Sequence, residues 1–330
     1  NNGITVTATA IETRQEDGQL IITSLDNMQI VNGGQTTAAI YFSPREKGGI
    51  KGAERMYNYS DIDLSKVYVQ MKLTVIDDKE TSDVMKANIA TFANSQNSIQ
   101  QSDLVSNHPF HLNIETRSRK QLMPAGENGL STKWFYERAR GQYSTQLRAL
   151  STSQRRKFEG EYPKKQVFNK TDMAKYENTW RMKPYLVKKG AQANLKALGA
   201  AIIKEFDADE SAFGPAFFND LVAKILLFRM VDSAILQADW YKEERGLKAE
   251  IVTYSIALLR HLLLQGKKDI NLSSIYLNQA ASDSLLELLV SIAQIVRMNI
   301  TDIEFTGGVT NPSEFCKSEK GWGKIQSIKI

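Results

Sequence analysis

Two short polar segments of this chain carry the residue types that bind a phosphate or a base edge. The first, residues 32–37, follows the apolar residues 28–31, and its two glycines let the backbone approach a ligand closely. The N–H groups at the start of the helix expected after it favour an anion. The candidate ligand-binding residues of this segment are Asn32, Gly33, Gly34, Gln35 and Thr36. The plainer alternative is a strand-to-helix turn in which threonine caps the helix.

The second segment, residues 94–99, follows a run with helical spacing and has side-chain amides at Asn94, Gln96 and Asn97. Amides pair with base edges or sugars, and they also stabilise irregular turns. We expect the two segments to meet around one pocket, because each lies at a junction between elements. The first segment is not a P-loop, since no lysine follows its second glycine at the required spacing.

A third segment, residues 134–143, interleaves aromatic residues with arginines, and further cations follow it. Arginines bind phosphates and aromatic rings stack on bases, so this pattern is typical of nucleic-acid binding. The candidate nucleic-acid-binding residues are Arg138, Arg140, Arg155, Arg156, Lys164, Lys165 and Lys170. The alternative is a solvated basic face whose aromatic residues belong to the core, with Glu137 holding a neighbouring guanidinium.

Catalytic and metal chemistry have little support in the sequence. His108 and His111 lie near Glu115, and these residues alone are too few to predict a metal site. The acidic residues near lysines do not form the pattern of a PD-(D/E)xK nuclease. If the protein is an enzyme, Glu137 and Asp172, beside the basic residues, are its candidate catalytic carboxylates.

The charge of the chain is distributed unevenly. Residues 117–189 contain 18 Lys and Arg against 6 Asp and Glu, an excess of 12 positive charges. The net charge of the whole chain is +5, so the rest of it carries −7. A localised positive field favours a polyanion such as nucleic acid. We expect the cations of this segment to form one continuous surface patch.

The composition is that of a globular protein, with 42% hydrophobic and 24% charged residues. Cys316 is the only cysteine, so no disulfide can form within the chain, and we expect a cytoplasmic location. The most apolar windows carry charges and helical periodicity, so we expect no membrane partner. The chain starts without methionine inside an expected strand, and we interpret it as a fragment that lacks its N-terminal region.

The pattern of apolar residues predicts an α+β fold. Residues 4–12 and 19–24 alternate around Asp17-Gly18, which predicts a β-hairpin. Residues 28–31 and 66–76 predict two further strands, the second from eleven alternating residues. The N-terminal part of the chain is therefore expected to contain a small mixed β-sheet.

Helical spacing covers residues 79–93, and Ser102-Asp103 is expected to cap another helix that includes Ile114. Longer helices are expected at residues 191–206, 216–240, 248–264 and 281–298. We predict three parts in the chain. They are a small mixed β-sheet domain over 1–120, a basic, aromatic-rich connecting region over 121–189 and a helical domain over 190–330.

Several separated segments resemble, in the same order, the abortive-infection phage-resistance (AIPR) family of bacteria. The matching segments are residues 1–5, 29–36, 94–97 with 102–104, 134–138, 170–172, and 183–184 with 187–192. The likeness covers about residues 1–200. The resemblance implies a role in antiphage defence, and it implies the further N-terminal region that members of this family usually carry.

The layout of the two amide-rich segments is similar to the ParB/sulfiredoxin-like nucleotide-binding fold, in which two charged segments embrace a triphosphate. This likeness implies the same fold for the first domain. The chain departs from the pattern at three charged positions: Thr36 stands in place of an arginine, Ala93 of a glutamate and Asn97 of a second arginine. These losses argue against nucleotide hydrolysis by this scaffold.

The leading hypothesis is a cytoplasmic antiphage-defence protein that binds nucleic acid or a nucleotide through the amide- and glycine-rich pocket and the basic region. The first alternative is a nuclease or nucleotide hydrolase, for which a nucleotide and Mg²⁺ are the cofactors to consider. The second alternative is a protein-interaction platform that forms a homo-oligomer through its C-terminal apolar helices.

Overall fold

The computed structural model describes residues 3–34, 36–37, 40, 64–76, 108–125 and 131–328. The chain divides into two units, Asn1–Gln100 and Gln101–Ile330. The strands of the described residues are β1 Ile4–Ala8, β2 Ala10–Glu16, β3 Gln19–Asp26, β4 Gln29–Asn32, β5 Met71–Val75, β6 Phe135–Glu137 and β7 Val167–Asn169.

The α-helices of the described residues all lie in the second unit, apart from the helical turn that follows β4. They are α1 Pro109–Lys120, α2 Gln142–Ala149, α3 Thr152–Glu161, α4 Lys170–Trp180, α5 Pro184–Lys188, α6 Ala191–Ala208, α7 Pro215–Gln237, α8 Asp239–Glu243, α9 Lys248–Gln265, α10 Leu272–Asn278, α11 Asp283–Thr301, α12 Ile303–Thr306, α13 Pro312–Phe315 and α14 Glu319–Gln326. Short 3-10 helices cover Leu64–Lys66, Lys164–Gln166 and Glu210–Phe213. The predicted α+β class is therefore confirmed.

The first unit contains a mixed three-stranded sheet in the order β4–β1–β5. β1 pairs antiparallel with β4 and parallel with β5, where Ile4 lies opposite Met71 and Ala8 opposite Val75. The last three residues of β1 are buried. A strand with partners on both sides and a buried end is the centre of this sheet, as its apolar and small residues allow.

The predicted β-hairpin is confirmed as the pair β2–β3. Its turn residues, Asp17 and Gly18, have φ angles of 48° and 75°, as the two central residues of a type I′ turn require. The predicted first strand, residues 4–12, is divided at Thr9, because Ala8 still pairs with β5 while the residues after Thr9 pair with β3. An alternating pattern does not reveal where a strand leaves one sheet for another.

The strand predicted over residues 66–76 is shorter in the structure. Lys66 ends a 3-10 helix, and only the five residues Met71–Val75 pair with β1. Since β1 itself has five residues, the partner strand sets the length of the ladder. The helix predicted over 79–93 and the helix cap predicted at 102–103 lie outside the described residues.

In the second unit, the helix predicted through Ile114 is described from Pro109 to Lys120. The longer predicted helices are confirmed as α6, α7, α9 and α11, with ends that differ from the prediction by three residues at most. A proline at the first position of α7 and the capping side chain of Ser282 before α11 explain two of the starts. These helices share one apolar core, in which Leu221 and Val296 are inaccessible to solvent.

Residues 121–189 belong to the same unit as the helices. Within them, β6 and β7 form a parallel pair. The side chains of β6 alternate in direction, since Tyr136 joins the main core while Phe135 packs with Tyr143 and Tyr162 in a small second core. The division of the chain at residues 120 and 189 stays a prediction.

Among the described residues, one helix, Asp283–Thr301, is long and apolar enough to cross a membrane by length and composition alone. A single helix of this kind is weak evidence for a membrane span. Its buried residues, including Leu289, Ala293 and Val296, recur at helical spacing, and the helix packs against α7 and α9. This is the pattern of an amphipathic helix with one face in the core, and the cytoplasmic location stays a prediction.

A buried ion pair joins α4 to α7. The carboxylate of Glu177 accepts a hydrogen bond from Lys224 Nζ at 2.7 Å, and the two side chains are 2% and 9% exposed. Arg181 lies 3.7 Å from the same carboxylate and also donates two hydrogen bonds to Glu205 on α6. Glu177 thus joins α4 to α7, and the pair Arg181–Glu205 joins the end of α4 to α6.

We expect Glu177→Gln to lower the free energy of unfolding by about 3 kcal/mol, because it leaves the Lys224 ammonium buried without a charge partner. The matched control is Glu205→Gln, whose carboxylate is 46% exposed. Its loss should cost less than about 1 kcal/mol. Urea unfolding followed by circular dichroism measures both, and equal losses in the two variants would contradict the role assigned to Glu177.

Candidate functional site

The segment Asn32–Thr37 forms a turn from strand to helix. β4 ends at Asn32, and Gly34 is already helical. The Gly33 amide donates to Asn32 Oδ1 at 2.7 Å, and the amide of Thr37 donates to the Gly33 carbonyl at 3.1 Å. The predicted strand–helix junction is confirmed, whereas ligand binding by Asn32 and Thr36 stays a prediction. Gln35 lies outside the described residues.

The two glycines of this turn have different roles. Gly33 has a φ of +88°, and a Cβ atom there would lie 2.7 Å from the carbonyl oxygen of Gly3 and 2.9 Å from Cα of Ile4. Gly33 is therefore required by the close approach of the turn to β1. Gly34 is exposed, and a Cβ atom there would meet nothing within 4 Å. The geometry of a strand-to-helix turn thus accounts for Gly33, while the exposed Gly34 is accessible to a ligand.

The second amide-rich segment, with Asn94, Gln96 and Asn97, lies outside the described residues. Its meeting with Gly33 and Gly34 around one pocket stays a prediction.

A polar cluster in the second unit centres on the carboxylate of Glu115. Its Oε2 accepts from Arg138 Nε at 3.0 Å, and its Oε1 accepts from Gln142 Nε2 at 2.7 Å. Gln142 Oε1 in turn accepts from the backbone amides of Arg138 and Ala139, at 3.2 and 3.4 Å. The Glu115 cluster therefore fastens the turn after β6 to helix α1.

Arg119, one helical turn after Glu115, completes this attachment. Its guanidinium carbon lies 3.2 Å from the centroid of the Phe135 ring, and its Nη2 donates to the Tyr136 carbonyl at 3.1 Å. Burial lowers the pKa of Arg119, and the nearby carboxylate of Glu115 opposes that shift. Arg119 is thus part of the scaffold.

Tyr136 of β6 and His111 of α1 form a buried pair close to the Glu115 cluster. The Tyr136 hydroxyl lies 2.6 Å from His111 Nδ1. Burial is the largest cause that lowers the pKa of His111 from 6.5 to about 3, and the charges of Lys170, His108 and Arg138 add to it. His111 is therefore neutral at pH 7. Among the described residues there is no group of three His, Cys, Asp or Glu that could hold a metal ion.

The two candidate catalytic carboxylates both serve helix starts. Glu137 Oε1 accepts from the amide of Tyr143 at 2.9 Å, in the first turn of α2. Asp172 forms a capping box with Asn169, in which each side chain accepts from the other residue's amide. The guanidinium of Arg138 pairs with Glu115, while the charge of Glu137 acts on Arg119, where it opposes the burial that lowers the pKa of that guanidinium. Catalysis by Glu137 or Asp172 stays a prediction.

The aromatic residues beside the arginines lie in the core. Trp134, Phe135 and Tyr136 are inaccessible to solvent, and Tyr143 is 6% exposed. The prediction that these rings stack on bases is therefore wrong for the described structure. The alternative, in which the aromatic residues belong to the core beneath a basic face, is confirmed. Burial follows from the short strand β6, which is covered on both sides.

The cations of residues 117–189 separate into two groups. Several are paired with carboxylates outside that segment: Arg119 and Arg138 with Glu115, Arg181 with Glu205, and Lys188 with Glu250. Ten cations of the segment are exposed, and seven of them lie between residues 140 and 165: Arg140, Arg148, Arg155, Arg156, Lys157, Lys164 and Lys165. The other three are Lys120, Lys183 and Lys189. The exposed cations are thus most numerous in this part, which includes α2 and α3, and one continuous patch over the whole segment stays a prediction.

We call residues 140–165 the basic helix pair. Its acidic residues are Glu159 and Glu161, and Glu161 is paired with Lys133 at 2.6 Å. Arg155 Nε also donates to the carbonyl of Leu147 at 3.2 Å, which joins the start of α3 to the end of α2. Most sequence-predicted cations lie on this pair, whereas Arg138 and Lys170 are half-buried near His111.

A family model described as AIPR protein matches residues 1–303. The chain belongs to the AIPR family. This confirms the resemblance, and membership connects the chain with abortive-infection antiphage defence. Comparisons with curated proteins and with solved structures gave no match.

Sequence reasoning missed the residues that hold the basic helix pair in this AIPR protein. Glu115 and Arg119 are four residues apart on α1, a spacing at which opposite charges meet on one helix face. That spacing was a usable sign of an ion pair. Nothing in the sequence indicated that Arg138 and Gln142, 23 and 27 residues further along, share the same carboxylate.

We expect Gly33→Ala to destabilise the first unit by about 1–2 kcal/mol, because alanine at this φ is strained and its Cβ clashes with β1. Gly34→Ala is the matched control, and its effect should stay within about 0.5 kcal/mol. Hydrogen exchange of the β1 amides reports on this unit directly. Equal protection of β1 in both variants would show that the turn tolerates a side chain at residue 33.

Acid should destabilise the second unit through His111. The unfolded chain protonates this residue below about pH 6.5 and the folded chain only near pH 3, so stability present above pH 6.5 is lost as the pH falls towards 3. We expect wild type to lose about 1.4 kcal/mol more per pH unit than His111→Gln between pH 6 and 4.5. Urea unfolding at each pH measures this slope.

The control for this experiment is His261→Gln, at a partly exposed position. It should keep the pH slope of wild type. Parallel pH curves for wild type and His111→Gln would contradict the prediction.

Proposed function

We propose that this AIPR protein acts in antiphage defence by binding the phosphate backbone of duplex nucleic acid through the basic helix pair. The observation that carries the proposal is its charge. Residues 142–158 contain four cations and no acidic residue, and all four are exposed. Within the described part of the chain, Arg140, Arg155, Arg156, Lys157, Lys164 and Lys165 make no ion pair.

Rigidity of the helix pair supports this function. Phe135, Tyr143 and Tyr162 are buried beneath it, and Leu147 and Phe158 pack against them. The Tyr143 hydroxyl also donates to the carbonyl of Tyr162 at 2.7 Å. Cations on a packed scaffold lose less conformational freedom on binding than cations on a mobile loop, so the pair is suited to hold a polyanion.

The buried aromatic residues favour duplex over single-stranded nucleic acid. Proteins that bind single strands stack bases on exposed aromatic rings. On the basic helix pair, the rings of Tyr143, Phe158 and Tyr162 face the small second core, and no aromatic residue of residues 140–165 is exposed. Most of the exposed residues there are cationic or uncharged polar, and Glu159 is the exposed acidic residue. Cationic and polar side chains on such a surface contact phosphates, and phosphate contacts carry little sequence information. Binding is therefore proposed to be independent of sequence.

A nucleotide site in the first unit is part of the same proposal. The turn at Gly33 and the exposed Gly34 support it, because backbone amides at a helix start favour a phosphate. Gln35, Asn94, Gln96 and Asn97 would complete this site on a ParB/sulfiredoxin-like scaffold. The absence of charge at Thr36 and Asn97 favours binding without hydrolysis.

A second candidate function is a protein-interaction platform formed by the C-terminal helices. Large apolar side chains are exposed there, and they are Leu277, Leu288, Met298 and Ile303. Such side chains favour self-association when they are contiguous. A homo-oligomer through these helices would not depend on salt as phosphate binding does. An enzymatic function has weaker support, since Glu137 and Asp172 already serve helix starts.

We expect the triple variant Arg155→Ala, Arg156→Ala, Lys157→Ala to weaken binding to duplex DNA and to flatten its salt dependence. Each lost phosphate contact should reduce the slope of log affinity against log salt by about 0.9. Fluorescence anisotropy with a labelled duplex at several salt concentrations measures both effects. Stability should change little, since exposed cations contribute little to it.

The matched control removes two exposed lysines of α6, Lys196 and Lys204, which lie outside the basic helix pair. This variant should keep the wild-type slope. The proposal is contradicted if the triple variant binds duplex DNA as tightly as wild type, or if both variants lose affinity equally for each charge removed.

A further inference from the structure

An open cleft of about 590 Å³ lies along the outer face of α1, apart from the basic helix pair. This volume is in the range of sites for small ligands, which is roughly 300–1,000 Å³. Pro109 and Leu112 form an apolar wall, and Leu112 is 44% exposed. An exposed leucine beside a cleft of this size is available to cover a flat apolar group.

The opposite end of the cleft is cationic. Arg117 and Lys120 are three residues apart on α1, so both project to the same face. Neither makes an ion pair within the described part of the chain. Arg117 Nε donates to Asn113 Oδ1 at 2.6 Å, which orients the guanidinium. Its terminal nitrogens are available to an anion, and Glu210 is the one acidic residue among the described lining residues.

Two uncharged polar side chains also line the cleft, Gln121 after the last residue of α1 and Thr116 within the helix. Gln121 Nε2 donates to Asn219 Oδ1 at 2.5 Å and to the Tyr276 hydroxyl at 3.0 Å. Its side chain is therefore fixed with Oε1 left as an acceptor. Thr116 adds an exposed hydroxyl to the same wall.

We propose that this cleft binds a mononucleotide. The phosphate pairs with Arg117 and Lys120, and the base lies against Leu112 and Pro109. The hydroxyl of Thr116, one helical turn from both Leu112 and Lys120, pairs with the sugar. Two cations against one carboxylate favour an anion, and the apolar wall favours an aromatic base over a bare phosphate. The site is separate from the proposed nucleic-acid surface, and either can fail without the other.

The test is isothermal titration calorimetry of the full 330-residue chain with AMP, adenosine and inorganic phosphate. We expect saturable binding of AMP, with adenosine and phosphate each at least about tenfold weaker, because hydrogen bonds to a charged group contribute about 1.5–3 kcal/mol. Arg117→Ala with Lys120→Ala should weaken AMP binding at least about tenfold. The control Lys196→Ala with Lys204→Ala should leave it unchanged.

A second variant fills the cleft and leaves Arg117 and Lys120 in place. Thr116→Trp, at an exposed position, should fill the cleft and abolish AMP binding while duplex DNA affinity stays at the wild-type value. The proposal is overturned if AMP shows no saturable binding at millimolar concentration, or if Arg117→Ala with Lys120→Ala binds AMP as wild type does. It is also overturned if the triple variant of the basic helix pair loses AMP binding, since AMP would then occupy the nucleic-acid surface.

Discussion

The carboxylate of Glu115 fastens the turn after β6 and the start of α2 to helix α1. One of its oxygens accepts a hydrogen bond from Arg138 and the other accepts one from Gln142. The side-chain oxygen of Gln142 accepts a hydrogen bond from the backbone amide of Arg138 in the intervening turn. Charge-assisted hydrogen bonds are stronger than neutral ones, and the start of α2 has two of them, from Gln142 to Glu115 and from the Tyr143 amide to Glu137. The small aromatic core then fixes α2 and α3 on the two-stranded sheet. The result is a basic surface that packs on the small aromatic core, with its aromatic residues buried and its cations exposed.

Much of the fold could be predicted from local patterns. The type I′ turn at Asp17-Gly18 and the long helices of the second unit follow from turn chemistry and apolar periodicity, which act within a few residues. Local patterns could not predict the division of a strand at Thr9 or the shortening of β5, because both depend on which strand is the pairing partner. Pairing between residues distant in sequence leaves no mark on either segment alone.

The same distinction applies to the candidate site. The cationic excess was visible in the composition, and so was the glycine turn at Gly33. The sequence could not separate cations that pair with Glu115, Glu205 and Glu250 from cations that remain exposed, since each pair joins segments far apart in the chain. It also could not decide between an aromatic stacking surface and an aromatic core. Burial of Tyr136 against His111 depends on α1, which lies 25 residues earlier.

The central claim is that residues 140–165 are the surface that receives nucleic acid. Hydrogen–deuterium exchange of the full chain, alone and with duplex DNA, locates that surface without any substitution. The account predicts slower exchange in α2 and α3 on binding, and unchanged exchange in α9 and α11. Protection confined to the C-terminal helices, or no protection of residues 140–165 when the complex has formed, would contradict it.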